Sequence, residues 1–221
     1  MSSIEASGAA AEAQGAGRTE LKLEAFAIAV ADVDRAKKFY GDLGWRLDAD
    51  FAFDNGFRVV QFTPLGSNCS IQFGTKLTSA APGSAQGLYL IVSDIGAARA
   101  ALAARGVKIS EVFHNAAPGA QFQPDGAGGR VSGLAPNRES YRSYATFSDP
   151  DGNRWLLQEV TTRLPGRVDG NTTSFGSASE LASALRRAAA AHGEHEKRIG
   201  KEDRDGWADW YAEYLVGQQA G

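Results

Sequence analysis

Three histidines, one cysteine and a cluster of arginines and tyrosines hold most of the chemistry this chain could perform. His114, in "EVFHNA", ends a strand-like run. Imidazole titrates near neutrality, so His114 is a candidate general base; a histidine at a strand end also serves as a plain solvated group. His192 and His195 stand one helical turn apart with Glu196 beside them, a spacing that can chelate a divalent metal. They lack the HExxH pattern, and only Asp209 or Glu213 could complete the set, if the tail folds back. Histidines on an apolar stripe also pack against neighbours. Arg130, Arg138, Tyr141, Arg142 and Tyr144 lie near the second half of a long Gly/Pro-rich segment and could hold an anionic or aromatic ligand. The "GAGG" run near Gly126 lacks the strand-before, helix-after context of a nucleotide loop.

Composition narrows the field. The chain has 221 residues, 43% of them hydrophobic and 22% charged, enough for one large domain or two small ones with a real core. A net charge of −3 provides no bulk basic field, so nucleic acid and anionic membrane surfaces are not expected partners. No apolar run approaches the roughly 18 residues of a membrane span. The first residues lack the basic-then-apolar pattern of a secretory signal. Cys69 alone allows no internal disulfide, which fits a reducing cytoplasm.

These groups must be positioned by elements, and the elements come twice. "AVADVDRAKKFYGDLGW" from Ala29 and "IVSDIGAARAALAARGV" from Ile91 share an apolar run, an Asp, a helical pattern and a closing Gly. The offset that takes Asp32 to Asp94 also takes Gly44 to Gly106 and Val30 to Val92. Asp can cap each helix start, and Gly can end it. In the first unit, a strand is expected over Leu21 to Val30, then a helix, then strands at "WRLDADFAF", "FRVVQFT" and "CSIQFG". The second unit has a strand at "GLYLIVSD", a helix over Ile95 to Arg105 and a strand at "VKISEVFH". A long loop from Asn115 to Glu139 and the strands "YRSYATFS" and "NRWLLQEV" complete it. Residues 1–19 are small, polar and aperiodic, and are expected to be a disordered leader. Residues 20–165 then hold the repeated unit and 166–221 a helical extension. The extension carries Leu181, Leu185, Ala188, His192 and His195 on one stripe. A second stripe of Trp207, Trp210, Tyr211, Tyr214 and Leu215 is expected to dock on the core or on another subunit, which leaves a homodimer open.

The first repeat and the "SDPDGNRWLLQEV" segment resemble the vicinal oxygen chelate superfamily, which contains glyoxalase I, extradiol dioxygenases and bleomycin-resistance proteins. The resemblance covers Leu21 to Val160, and "DPDGN" is its most specific part. The "LLQEVTTRLPGR" run and the C-terminal extension are similar to actinobacterial glyoxalase-like proteins. The resemblance implies an α+β fold, with two βαβββ modules forming a cup-shaped mixed sheet that holds a small molecule. It also implies four metal-ligand positions, on the first and fourth strand of each module. Carried over, they fall at Ala25, Gln72, Gly87 and Leu156, which cannot make a metal site. A one-residue shift would offer Glu24 or Glu159, aimed by strand alternation toward the helices instead.

Alternation also outlines the cup. Phe26, Ile28 and Val30 should pack on a helix while Ala25, Ala27 and Ala29 line the cup. Gly87, Tyr89 and Ile91, then Arg154, Leu156 and Gln158, should line it from the second unit, with Gln72 opposite. The expectation is a metal-free protein that binds an apolar or aromatic compound at Ala25, Ala27, Gln72, Gly87, Tyr89, Arg130, Tyr144, Leu156 and Gln158. The alternative is an enzyme of the same superfamily, lyase, isomerase or dioxygenase-like. It would be metal-independent, with His114 as base, or would take a divalent metal at a non-standard site such as His192 and His195.

Overall fold

A computed structural model describes residues 21–124, 128–164, 173, 175, 178–200 and 206–220. The expected leader, part of the "GAGG" run and the first residues of the C-terminal extension lie outside them. The chain is α+β: two mixed sheets, each flanked by one helix, followed by two C-terminal helices. The first module runs β1 (Ala25–Ala27), α1 (Val33–Asp42), β2 (Arg46–Ala52), β3 (Arg58–Thr63) and β4 (Ser70–Thr75). Its four-stranded sheet has the order β1-β4-β3-β2, with β1 parallel to β4 and the other pairs antiparallel. The second runs β5 (Leu88–Val92), α2 (Ile95–Ala104), β6 (Phe113–Asn115), β7 (Arg130–Ser132), β8 (Ser143–Ser148) and β9 (Arg154–Glu159). Its five-stranded sheet has the order β5-β9-β8-β6-β7 and repeats the parallel first pair, β5 with β9.

The two helix frames agree to the atom. Asp32 and Asp94 are both extended, and their carboxylates accept the backbone N–H of Arg35 and of Ala97. Gly44 and Gly106 follow the two helices with φ of 79° and 83°, a left-handed turn that costs glycine least.

Three strands differ from the sequence expectation. β1 is shorter than Leu21–Val30 because its partner begins at Ser70, whose N–H already reaches the Glu24 carbonyl; Leu21 and Leu23 have no strand to join and are exposed. "VKISEVFH" forms regular strand only from Phe113, with one bridge at Ile109. There the Ser110 hydroxyl accepts the Thr146 N–H, so a side chain replaces a rung of the ladder. The segment expected as loop contains β7, which pairs with β6.

One core serves both modules. Ile28, Tyr40, Val60, Phe62, Ile71 and Phe73 from the first pack with Ile95, Ala145, Phe147, Trp155 and Leu157 from the second. All of these sit on the helix-bearing sides of the sheets, so the opposite faces point away from the shared core. The joint is the "DPDGN" turn. Asp149 accepts the Tyr40 hydroxyl at 2.8 Å and the Asn153 amide at 2.8 Å, and its other oxygen takes the N–H groups of Asp151 and Asn153. Asn153 donates across to the Ala29 carbonyl, and Trp155 Nε1 donates to the Tyr40 hydroxyl. Burial and the nearby Asp149 charge push the Tyr40 phenol far above its ordinary range, so it remains a donor at every working pH.

On the outer side of α1, Asp50 is held by Arg58 in a two-pronged pair and by Lys37 at 2.7 Å. The Arg58 bonds hold its carboxyl well below the usual carboxylate range. A carboxyl depressed in the folded state stabilises fully above its unfolded value of about 3.9, and that contribution is lost as the pH falls. Urea midpoints at pH 7 and pH 3 are therefore expected to differ less in Asp50→Asn than in the wild type. Parallel losses in both would show that this pair contributes nothing.

The C-terminal helices α3 (Ala178–Ile199) and α4 (Trp207–Ala220) pack on each other through Ala184, Ala188, Leu215, Tyr211 and Tyr214. Small residues on α3 admit the aromatic stripe of α4, so that stripe docks first on its own neighbour.

Candidate functional site

The faces turned away from the core differ in character. On the second sheet, Phe113, Tyr144 and Leu156 form an apolar cluster separate from the main core. Tyr89 and Ile91 extend that face along β5, and Gln158 sits beside Tyr144. The Tyr144 hydroxyl donates to the Tyr141 carbonyl at 2.6 Å, and burial raises its phenol above the ordinary value. Gln158 donates to the same carbonyl at 3.0 Å.

The segment after β6 folds over this face. Its 3-10 turn, Ala120–Phe122, sets the Phe122 ring edge-on to Tyr89 at 6.2 Å and brings it to Gly87. Arg130 anchors the turn from β7: its guanidinium accepts nothing and donates to the carbonyls of Ala120, Gln121 and Gln123. Its carbon lies 4.2 Å above the centre of the Phe113 ring. Two cavities remain beneath the segment. One of about 260 Å³ is lined by Gln86, Gly87, Gln121, Phe122, Arg154 and Leu156. Another of about 340 Å³ lies among residues 115–119, Gln121, Arg142 and Tyr144. Gln121 lines both.

On the first sheet, the corresponding face is polar and open. Ala25 and Ala27 lie beside Ser70 and Gln72, and Gln72 donates to Gln61 at 2.8 Å. A third and larger cleft, about 590 Å³, opens between the free edges of β1 and β5, with Phe26, Ile71, Tyr89, Tyr141, Trp155 and Gln158 among its walls. Cys69 lies on its rim, its thiol pushed up by burial.

The structure therefore brings Gly87, Leu156 and Tyr144 to the covered face, and puts Tyr89 and Gln158 on the wall of the inter-edge cleft. It does not bring Ala25, Ala27 or Gln72 to either covered cavity; they stay on the first sheet. Arg130 is engaged by the loop it holds. His114 alternates with Phe113 and so points off the covered face, where its Nδ1 meets the Gly133 carbonyl at 3.1 Å. His192 lies against Trp210 and Tyr211, and His195 pairs with Arg198 at 2.9 Å. No three His, Cys, Asp or Glu converge anywhere among the described residues. Sequence reading missed Gln86, Gln121, Phe122 and Phe113. The first three lie in coil or a short turn with no periodicity to betray their direction.

The superfamily's metal positions do not fit a metal here. Ala25 and Gly87 have no donor, Leu156 packs against Phe113 and Tyr144, and the Gln72 amide is bound to Gln61. Glu159, one residue along, is fully buried on the helix side, where it accepts the Ile95 N–H and pairs with Arg138.

The family model described as the Glyoxalase/Bleomycin resistance protein/Dioxygenase superfamily matches residues 22–157. No curated protein matches the chain. Among solved structures, an antibiotic binding protein from Streptomyces sp. CB03234 is 28% identical, over 65% of this chain and 98% of that one, with a TM-score of 0.46. A glyoxalase/bleomycin resistance protein from the same organism is 29% identical, over 62% and 100%, with a TM-score of 0.44. A member of the superfamily from Sphaerobacter thermophilus DSM 20745 is 26% identical, over 63% and 98%, with a TM-score of 0.47.

Proposed function

The chain belongs to the glyoxalase/bleomycin resistance protein/dioxygenase superfamily, and from that premise we propose that it binds an apolar or aromatic small molecule without transforming it. The ligand lies on the second sheet beneath the 116–124 segment. The observation that carries this reading is the pair of cavities, about 260 and 340 Å³, that meet at Gln121 over Leu156 and Tyr144. Pockets of roughly 300–1,000 Å³ hold drug-sized ligands, and these two together are of that order. The walls of the smaller cavity are mainly apolar, those of the larger are polar and apolar in about equal measure, and Gln86, Gln121, Arg142 and Arg154 provide polar orientation. Burial of ligand surface contributes about 25 cal/mol per Å² before ordering costs. The turning of His114 away from these cavities supports binding rather than acid–base turnover.

The site is completed by a second copy of the chain. Each module's outer face points away from the shared core, so a single chain cannot lay the Ala25–Ala27–Gln72 face over the Tyr144–Leu156 face. β1 and β5 are both sheet ends, and Leu21, Leu23, Leu65 and Ile91 near them are exposed. The lone Cys69 supports a cytoplasmic setting. No described helix is long and apolar enough to cross a membrane.

Calorimetric titration with 2-naphthol, with light scattering on the same sample, tests the reading. One saturable site per chain, a mass twice that of the chain and a ligand of unchanged mass after overnight incubation are expected. Absence of saturable binding would refute the binding reading, and a changed ligand mass would replace it with an enzyme.

A further inference from the structure

The two covered cavities meet where one amide side chain holds another. Asn115 ends β6 two residues after Phe113, so strand alternation turns its side chain to the same covered face. Its Nδ2 donates to the Gln121 Oε1, and Gln121, which lines both cavities, is thereby held between them. The Asn115 Oδ1 is shut off from solvent and accepts no hydrogen bond among the described residues. Asp151, Glu159 and His192 hold the other buried side-chain atoms left in that condition, and none of the three lines either cavity. A buried acceptor without a donor costs free energy, which a ligand that brings the donor recovers. The turn that carries Gln121 is fixed by its backbone, because Arg130 donates to the carbonyls of Ala120, Gln121 and Gln123. The Gln121 side chain bonds only Asn115 among the described residues, so it can swing aside without moving the turn.

We propose that Asn115 is a specificity-determining residue for aromatic ligands whose edge carries a donor and an acceptor side by side, as in a lactam or a primary carboxamide. Such a ligand displaces the Gln121 side chain. Its carbonyl accepts the Nδ2 hydrogen that Gln121 held, and its N–H supplies the donor that Oδ1 lacks, so two parallel bonds replace one. Because the edge pairs with both amide atoms at once, it suits the Asn115 amide in either rotation. The aromatic body then extends between Tyr144 in the larger cavity and Phe122 and Leu156 in the smaller, through the space where the Gln121 side chain stood. The proposal rests on the reading that the ligand lies beneath the 116–124 segment, and it uses residues of one chain only. A fixed donor–acceptor pair discriminates because a buried group left unpaired costs more than a made bond contributes.

The test compares 2-quinolinone with 1-methyl-2-quinolinone by calorimetry on the intact protein, since methylation removes the N–H and keeps the carbonyl and the rings. Wild type is expected to prefer the lactam by about ten-fold, because the methyl compound leaves Oδ1 buried without a donor. Asn115→Leu removes both amide atoms, and the preference should fall toward one; a preference retained there comes from the bulk of the methyl group. Gln121→Ala removes the competing side chain and should bind 2-quinolinone roughly two- to ten-fold more tightly than wild type, the span of the one bond that no longer has to be broken. That variant decides the matter if Asn115→Leu does not fold. A preference retained in Asn115→Leu, equal or weaker binding in Gln121→Ala, or no preference in the wild type overturns the proposal while leaving the binding reading intact. Failure of the wild type to bind 2-naphthol or either quinolinone overturns both.

Discussion

Asp149→Ala is expected to lower the unfolding free energy by about 3–5 kcal/mol, the range for removing one partner from a buried charged network. Asp149 is 5% exposed and accepts four hydrogen bonds, from the Tyr40 hydroxyl, the Asn153 side chain and two backbone N–H groups of its own turn. Alanine leaves all four donors without their acceptor. The loss reaches beyond the turn, because Asn153 ties it to the Ala29 carbonyl between β1 and α1 and to Ala85, while Tyr40 ties it to α1 and Trp155. Tyr40→Phe removes two bonds, the one given to Asp149 and the one taken from Trp155 Nε1, and should cost about 2 kcal/mol. Urea unfolding followed by tryptophan fluorescence checks both, since Trp45 and Trp155 stack edge-on at 5.1 Å in this core. A loss below 1 kcal/mol for Asp149→Ala would mean that the modules are held together by apolar packing alone.

Gln121→Trp should abolish ligand binding while the fold survives, with a loss of at least roughly 100-fold, or about 2.7 kcal/mol. Gln121 borders both covered cavities, and indole would occupy much of the space between Phe122 and Tyr144. It lies on a short turn rather than in a sheet, and its side chain bonds only Asn115 among the described residues. The fold therefore loses little when it is replaced. Titration with 2-naphthol, beside an unfolding curve, separates the two effects. Undiminished affinity would move the ligand to the cleft between β1 and β5, where Trp155, Tyr89 and Phe26 offer a second apolar surface.

The repeat was legible because its marks are local. An N-capping Asp binds the backbone three residues on, and a closing Gly permits a left-handed turn, so Asp32, Asp94, Gly44 and Gly106 write the same frame wherever the chain goes afterwards. Strand alternation is equally local, and it assigned Phe26, Ile28, Leu88 and Leu90 to the core side and Ala25, Ala27, Tyr89 and Leu156 to the other.

Tertiary structure decided what those faces meet. Two modules that share one core through Tyr40, Phe147 and Trp155 must turn their outer faces apart, and no pattern within a single strand records that choice. The role of Arg130 was hidden because its partners are backbone carbonyls, which every residue has. Gln121 and Phe122 were hidden because coil has no period. The two βαβββ frames and their buried faces were written in the sequence, since capping, turns and pleat act over a few residues. Tertiary structure alone decided which faces are covered and where space remains, since both depend on contacts between residues far apart in the chain.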